Sequence, residues 1–210
     1  MIFLPLFPLN LVVFPMENLN LHIFEPRYRQ LISECVSSKS TFGIPAFIGG
    51  KMQAYGTEVS ILEVENLYED GRMDIKTQGI CTFEILTFEN PIKNKLYSGG
   101  EINRKNLDKN SFNGVLRNEL IQKINQLYSF MHVKATFNWD SEVLSFEVAH
   151  KIGLSLEQEY TLLCIEREEE RQNYLFEHLN KILPVVAEME RTKDRIRMNG
   201  HFKNLDPLSF

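Results

Sequence analysis

The residues best placed to do chemistry in this chain are Glu147 and His150, in the run Glu147-Val-Ala-His150. On a helix, a Glu-x-x-His run points a carboxylate and an imidazole the same way, as di-iron bundles require. Such a centre also needs a second copy and two carboxylates from facing helices. No other histidine here has a glutamate three residues before it. The two therefore read as a surface pair on an amphipathic helix, and no metal is expected. Gly49-Gly50-Lys51 is the nearest approach to a phosphate-binding loop. Met52 stands where Ser or Thr would hold magnesium, and Pro45 where the first glycine belongs, so no nucleotide cofactor is expected. There is no Gly-x-Ser-x-Gly elbow, no Gly-x-Gly-x-x-Gly and no Cys-x-x-Cys.

The other candidates have plainer readings. Cys35, Cys81 and Cys164 are odd in number and far apart, which fits reduced thiols in the cytosol acting as small core residues. His22, in the apolar run Leu21-His-Ile-Phe24, reads as a strand histidine donating a ring proton to a backbone carbonyl. Glu25, Arg27 and Arg29 fit helix capping and bracing of neighbouring loops, with Glu25 and Arg29 at the i, i+4 spacing of a surface pair. Trp139, beside Phe137, reads as half-buried packing. No catalytic residue emerges, and the chain is expected not to be an enzyme.

These residues need elements to position them. The chain opens on Ile2-Phe-Leu-Pro-Leu-Phe-Pro-Leu-Asn-Leu-Val-Val-Phe-Pro15. That run is apolar enough for a membrane, but Pro5, Pro8 and Pro15 would break a membrane helix. Prolines suit strand edges and corners instead, so a proline-cornered β segment is expected. Pro26 fits a first helical turn, and Tyr28, Leu31, Ile32, Cys35 and Val36 follow on one helical face. Phe42–Ile48 reads as a strand. Thr57–Val64 alternates until its phase slips at Leu62 and Val64, which predicts a bulge. Glu69-Asp70-Gly71 predicts a hairpin into Met73–Thr77. Ile80–Phe88 is a further strand that stops near Asn90-Pro91.

Residues 93–110 turn polar, a connection with room for an edge strand. Helical spacing then takes over. Ser111–Met131 carries Leu116, Leu120, Ile124, Leu127 and Met131. A short helix over Val143–Ala149 has Asp140 or Ser141 as its cap and Gly153 at its C-terminal end. Ser155 with Gln158 makes a capping box for Leu156–Ile165. Glu166–Arg171 is a charge run that reads as a solvated helix start. It leads into a long apolar pattern that Pro184 should kink or break. The residues from Asn199 read as a loose tail.

With 210 residues and 43% hydrophobic content the chain can bury a sizeable core, rich in its 15 Phe. A net charge of −5 argues against nucleic acid and against an anionic membrane surface. No signal peptide or membrane span is read, and a cytoplasmic location is expected.

Three segments together resemble the opening of the N-terminal domain of the Lon (La) ATP-dependent proteases: Leu4-Pro-Leu-Phe-Pro-Leu9, Val12-Val-Phe-Pro15 and Leu21-His-Ile-Phe-Glu-Pro-Arg-Tyr-Arg29. The resemblance continues through Gly43-Ile-Pro-Ala and Thr77-Gln-Gly-Ile-Cys-Thr-Phe-Glu-Ile85, where Thr82 replaces the usual Arg. It is looser around Leu154–Leu163. What it implies is an α+β fold, with a PUA-like twisted β-barrel or sheet, one inserted helix and a C-terminal helical bundle. The expected division is residues 1–92 β-rich, 93–110 connection, 111–198 helical and 199–210 tail.

The resemblance further implies a bacterial, non-catalytic module that captures unfolded or extended polypeptide. The chain ends where the family's ATPase and peptidase domains would begin, so neither activity is expected. Phe14, Met16, Phe47 and Tyr55, at loop ends between strands, are the candidate substrate contacts. An alternative is an adaptor docking on a folded protease or chaperone through the Glu166–Arg197 helices.

Overall fold

In a computed structural model, backbone is described for residues 2–107 and 113–201 and side chains as far as residue 196. The elements are β1 (Ile2–Leu6), β2 (Asn18–Ile23), α1 (Pro26–Ser38), β3 (Phe42–Ile48), β4 (Lys51–Leu67), β5 (Met73–Ile85), β6 (Ser98–Arg104), α2 (Gly114–Met131), α3 (Leu144–Ala149), α4 (Leu156–Cys164) and α5 (Glu168–His201). The fold is α+β, with the C-terminal helices packed beside a mixed sheet. Most of the expected tail lies outside the described residues.

The sheet runs β2-β5-β4-β3-β1-β6, and the far end of β5 pairs again with β6 from Phe83↔Arg104 to Ile85↔Ile102. Strands β1, β3, β4, β5 and β6 thus close a ring, and β2 extends the sheet from the first half of β5. The strand anticipated within 93–110 is therefore a closing strand rather than an edge.

The opening prolines fit this ring. Phe7 N–H donates to Gly43 O at 2.8 Å and Leu9 N–H to Pro45 O at 3.3 Å, continuing the parallel pairing of β1 with β3. Pro8 falls between these two donors, where its missing N–H costs the ladder nothing. The two runs expected around Lys76 and Ile80 are one continuous strand, β5. Gly79 joins them because a Cβ there would lie 2.2 Å from Phe14 O. The backbone of the Phe14–Glu17 corner sits directly on β5, with Met16 N–H donating to Gly79 O at 2.9 Å and Gly79 N–H to Glu17 O at 2.8 Å.

The pairing of β4 with β5 bulges at three places: at Ile80 on β5, opposite Glu58 and Val59, and on β4 at Leu62, between Ile61 and Glu63, and at Glu65, between Val64 and Asn66. The phase slip at Leu62 and Val64 has this origin. Inside the barrel and under α1, Phe7, Ile23, Tyr28, Leu31, Ile32, Phe42, Ile44, Val59 and Ile75 form one cluster. Phe7 stacks on Tyr28 with ring centroids 3.7 Å apart.

The helices build a second cluster from Leu120, Ile124, Leu127, Leu144, Phe146, Leu162, Leu175 and Leu179, and Val12, Phe14 and Ala46 of the barrel half belong to it. Asn113 caps α2, its side chain accepting from Leu116 N–H at 3.2 Å. The Ser155–Gln158 capping box forms as read. Neither Asp140 nor Ser141 caps α3. Its N-cap is Val143, and Ser141 Oγ accepts from Val143 N–H at 3.3 Å outside the helix. That helix ends at His150, so Gly153 (φ 78°) serves the following turn rather than the cap. Pro184 does not break α5. The turns before it are held by Leu175, Leu179 and Leu183, all buried, and packing there overrides local propensity.

The start of α5 is solvated on one side only: Glu166, Arg167 and Glu170 are exposed, and Glu168 and Arg171 turn inward. Arg171 has 0% exposure and Glu168 3%. Arg171 Nη2 donates to Glu168 Oε2 at 2.8 Å and its Nε to Ser145 Oγ at 2.9 Å. Its Nη1 donates to the carbonyls of Ile165 and Glu166, both at 2.8 Å. Glu168 also accepts from Ser145 N–H at 3.0 Å and from Gln172 Nε2 at 2.8 Å. The guanidinium lies 4.3 Å from the Phe146 ring centre. This buried network ties the α4–α5 turn to α3.

Candidate functional site

The four candidate contacts do not gather at one place. Phe14 is a correction: it is 1% exposed and stacks on Phe146 at 4.9 Å, filling the seam between barrel and helices. An apolar side chain at that loop is worth more against α3 than against water. Met16 is 58% exposed and lines a cleft of about 250 Å³ with Glu17, Asn18, Phe146, Glu147 and His150. Phe47 is exposed near the hairpin tip, where Gly49 and Gly50 (φ 60° and 77°) make the β3–β4 turn. Tyr55 is half-buried, and its backbone N–H donates to Tyr160 Oη at 3.3 Å, docking α4 on β4. Neither Phe47 nor Tyr55 lines the Met16 cleft.

Glu147 and His150 do not pair with each other. Glu147 holds Lys151 at 2.9 Å. His150 is clamped between Glu159 (Nδ1 to Oε1, 2.8 Å) and Glu17 (Nε2 to Oε2, 3.2 Å), joining α3, α4 and the barrel. Burial pulls its pKa down, but the two carboxylates together outweigh burial and hold it up at about 9. The imidazolium is therefore a structural cation at neutral pH. With the folded pKa above the unfolded value of about 6.5, its contribution to stability is complete below about pH 6.5 and is lost as pH rises through about 9. Thermal midpoints of the wild type and of His150→Gln, measured from pH 6 to pH 10, are expected to converge at the alkaline end. A gap that is constant with pH would contradict this assignment.

Among the described residues His22 meets no backbone carbonyl. Its Nδ1 meets Asp74 Oδ1 at 2.6 Å, and Asp74 also accepts from Tyr68 Oη at 2.7 Å. The hydrogen bonds from His22, Tyr68 and Asn66 hold the Asp74 carboxyl down at about 2. Glu25 pairs with Arg27 at 2.8 Å rather than with Arg29. Arg29 instead donates to Asp70 O and braces the β4–β5 turn. Trp139 packs half-buried against Phe137, 4.6 Å between ring centres. Cys35 is buried, while Cys81 and Cys164 are only partly so. Burial raises all three thiol pKa values, and for Cys81, with Glu58 beside it, the value reaches about 11. They are protonated at neutral pH and poor nucleophiles.

The surface the sequence did not disclose is a three-stranded arm formed by β2, the first half of β5, and β4 beyond Val59. Helix α1 covers one face of it. The other face is a polar ladder of cross-strand pairs: Asn18 with Gln78, His22 with Asp74, and Lys76 with Glu65. Strand β3 pairs with β4 only as far as Phe42↔Val59, so the outer edge of β4 beyond that point has no strand beside it among the described residues. A groove of about 370 Å³ runs there between the end of α1 and β4, lined by Cys35, Val36, Lys39, Ile61, Leu62 and Val64. Leu62 is 55% exposed and Val36 43%. Val36, on the apolar helical face it shares with Leu31 and Ile32, lines this groove. The phase slip in β4 was the one trace of it, because each bulge turns an extra side chain outward.

A larger, open apolar face lies on α5 around Pro184, Val185 and Met189, about 620 Å³. No helix among the described residues is long and apolar enough to cross a membrane.

No curated protein matches the chain. Lon N-terminal domains are among the solved structures that resemble it. A Lon N-terminal domain protein from Xanthomonas campestris is 25% identical with a TM-score of 0.66, the match covering 83% of this chain and 97% of that one. The N-terminal domain of the Mycobacterium avium complex Lon protease is 12% identical with a TM-score of 0.61, covering 85% and 98%, and speaks to the fold alone. Residues 3–181, which span the barrel, the arm and the helical layer as far as the first 14 residues of α5, match the substrate-binding domain of the ATP-dependent protease La (LON), and the chain belongs to that family.

Proposed function

We propose that this protein is a non-catalytic module that binds unfolded or extended polypeptide segments through exposed apolar surface on its barrel half. The observation that carries this is the α1–β4 groove, with Val36, Leu62 and Val64 open to solvent inside the family-matched range. Exposed apolar side chains grouped in a groove are a recognition surface for apolar side chains of a partner. The binding is weak per residue, because ordering an unfolded chain costs about 1–2 kcal/mol of backbone entropy at each position. A cytoplasmic setting fits the three free thiols.

A second reading has its own observation. The α5 face around Val185 and Met189, which are 59% and 57% exposed, lies beyond the matched residues. It suits an adaptor docking on a folded protease or chaperone. One titration separates the two. With fluorescein-labelled casein, Leu62→Asp is expected to weaken binding severalfold and Met189→Asp to leave it unchanged. The reverse pattern would move the binding surface to α5, and no binding by the wild type at high micromolar concentration would sink the polypeptide reading.

A further inference from the structure

The arm has two open strand edges, and the molecule treats them differently. The β4 edge beyond Val59 carries two of the three bulges and two glutamates, Glu63 and Glu65. Bulges and charges are the devices by which proteins stop a stray strand from pairing with an edge. The β2 edge carries none of them. Asn18-Leu-Asn-Leu-His-Ile23 holds no proline and no Lys, Arg, Asp or Glu, and it pairs one-to-one with β5 from Asn18↔Gln78 to Ile23↔Met73 with no register shift.

The direction of its backbone groups follows from the ladder. Glu17 O accepts from Gly79 N–H at 2.8 Å, and Leu19 O from Thr77 Oγ1 at 2.9 Å. In an antiparallel pair, alternate residues exchange both bonds with the partner. Leu19, Leu21 and Ile23 therefore turn their N–H and C=O groups to β5, and Asn18, Asn20 and His22 turn theirs outward. No backbone group among the described residues meets them there. The Asn18 and His22 side chains are drawn sideways onto Gln78 and Asp74, which leaves the edge uncovered. On the α1 side, Leu19 and Leu21 stay half-exposed, whereas Ile75 and Thr77 on β5 are fully buried. One more strand would cover them.

We propose that the β2 edge captures an extended segment of a client polypeptide by strand addition. This rests on the reading of the chain as a polypeptide-binding module, and it adds to the apolar groove at the β4 edge a second contact at the opposite edge of the arm: backbone hydrogen bonds at Asn18, Asn20 and His22, largely independent of client sequence. A second copy of this chain is a poorer occupant. Six residues of strand are about 20 Å long. Paired edge to edge they bury far less than the roughly 1,200–2,000 Å² of a stable protein interface, and each copy carries a charge of −5.

The test removes one outward N–H. Asn20→Pro deletes that donor while leaving the bonds to β5 intact, since its N–H points away from the ladder. Asn20→Ala keeps it. With reduced, carboxymethylated lactalbumin as the unfolded probe, Asn20→Ala is expected to bind within twofold of wild type and Asn20→Pro at least tenfold more weakly. Amide exchange on the wild type followed by NMR is expected to show the Asn20 and His22 amides protected when the probe is added, and this decides the matter even if Asn20→Pro fails to fold. Equal binding by the two variants, or unprotected amides, overturns strand addition while leaving polypeptide binding standing. Failure of the wild type to bind the probe overturns both. A dimer in sedimentation that Asn20→Pro dissociates would give the edge to a second copy and overturn the client assignment.

Discussion

Replacing Arg171 by alanine is expected to destabilise the protein by about 3–5 kcal/mol, the cost of leaving a buried charge without its partner. The Glu168 carboxylate would keep its bonds to Ser145 and Gln172 but lose the guanidinium, in a site where Glu168 is 3% exposed. Two carbonyls, Ile165 O and Glu166 O, would lose their Nη1 donor as well. The penalty comes from the orphaned groups rather than from the ion pair itself, and a second variant separates the two. Arg171→Met combined with Glu168→Gln removes both charges, refills the volume and keeps an amide oxygen to accept from Ser145, so it is expected to lose less than Arg171→Ala alone. Urea unfolding followed by circular dichroism gives both values. If the double variant is the less stable of the two, the ion pair is a net source of stability and this account of the network is wrong.

Arg171 also shows what could be read from the chain and what could not. Glu166–Arg171 carries the signature of a solvated helix start, and nothing in one-dimensional order separates Arg171 from its exposed neighbour Arg167. What buries Arg171 is α3, a helix of six residues whose Ser145 faces α5 only once both are placed. His150 was misread for the same reason, because its partners Glu17 and Glu159 lie 133 and 9 residues away. Features set by local chemistry were legible. Pro26 at the first turn of α1, the Ser155–Gln158 box and the turn of the β4–β5 hairpin each rest on contacts within a few residues, and the bulge at Leu62 shows as a break in the strand's own alternation. The opening segment was legible as strand but not as location. Its prolines exclude a membrane helix, yet only the closed ring shows Phe14 pressed onto α3 and Gly79. The arm was hardest to foresee. An edge is defined by the strand that is not beside it, and sequence alone does not give strand order.

Removing the Arg104 side chain is expected both to destabilise the barrel and to invert the pH dependence of one buried carboxylate. Glu58, 1% exposed on β4, accepts from Arg104 Nε and Nη2, each at 2.6 Å, and from Thr41 Oγ1 at 2.6 Å. Burial alone would raise its pKa, but the Arg104 bonds, with Thr41 adding to them, hold it below the usual carboxylate range. In the wild type this group stabilises the fold above the unfolded pKa of about 4.3, and the contribution fades as pH falls through the lower folded value. In Arg104→Ala burial is opposed only by Thr41 and Cys81, so the folded pKa moves above the unfolded one. The stability lost is then small in acid and grows as pH rises toward neutrality, because a buried carboxylate must ionise without a cation beside it. The loss at pH 7 is expected to be about 3 kcal/mol, at the low end for a broken buried pair because the Arg104 side chain is itself 46% exposed. Urea midpoints of wild type and Arg104→Ala at pH 4 and pH 7 test the sign: the gap must widen toward pH 7. Arg104→Lys, which keeps a cation but not the two-pronged geometry, should fall between them. A gap that narrows as pH rises would mean that Glu58 reaches solvent when Arg104 is removed, and that the pair does not close the barrel on that side.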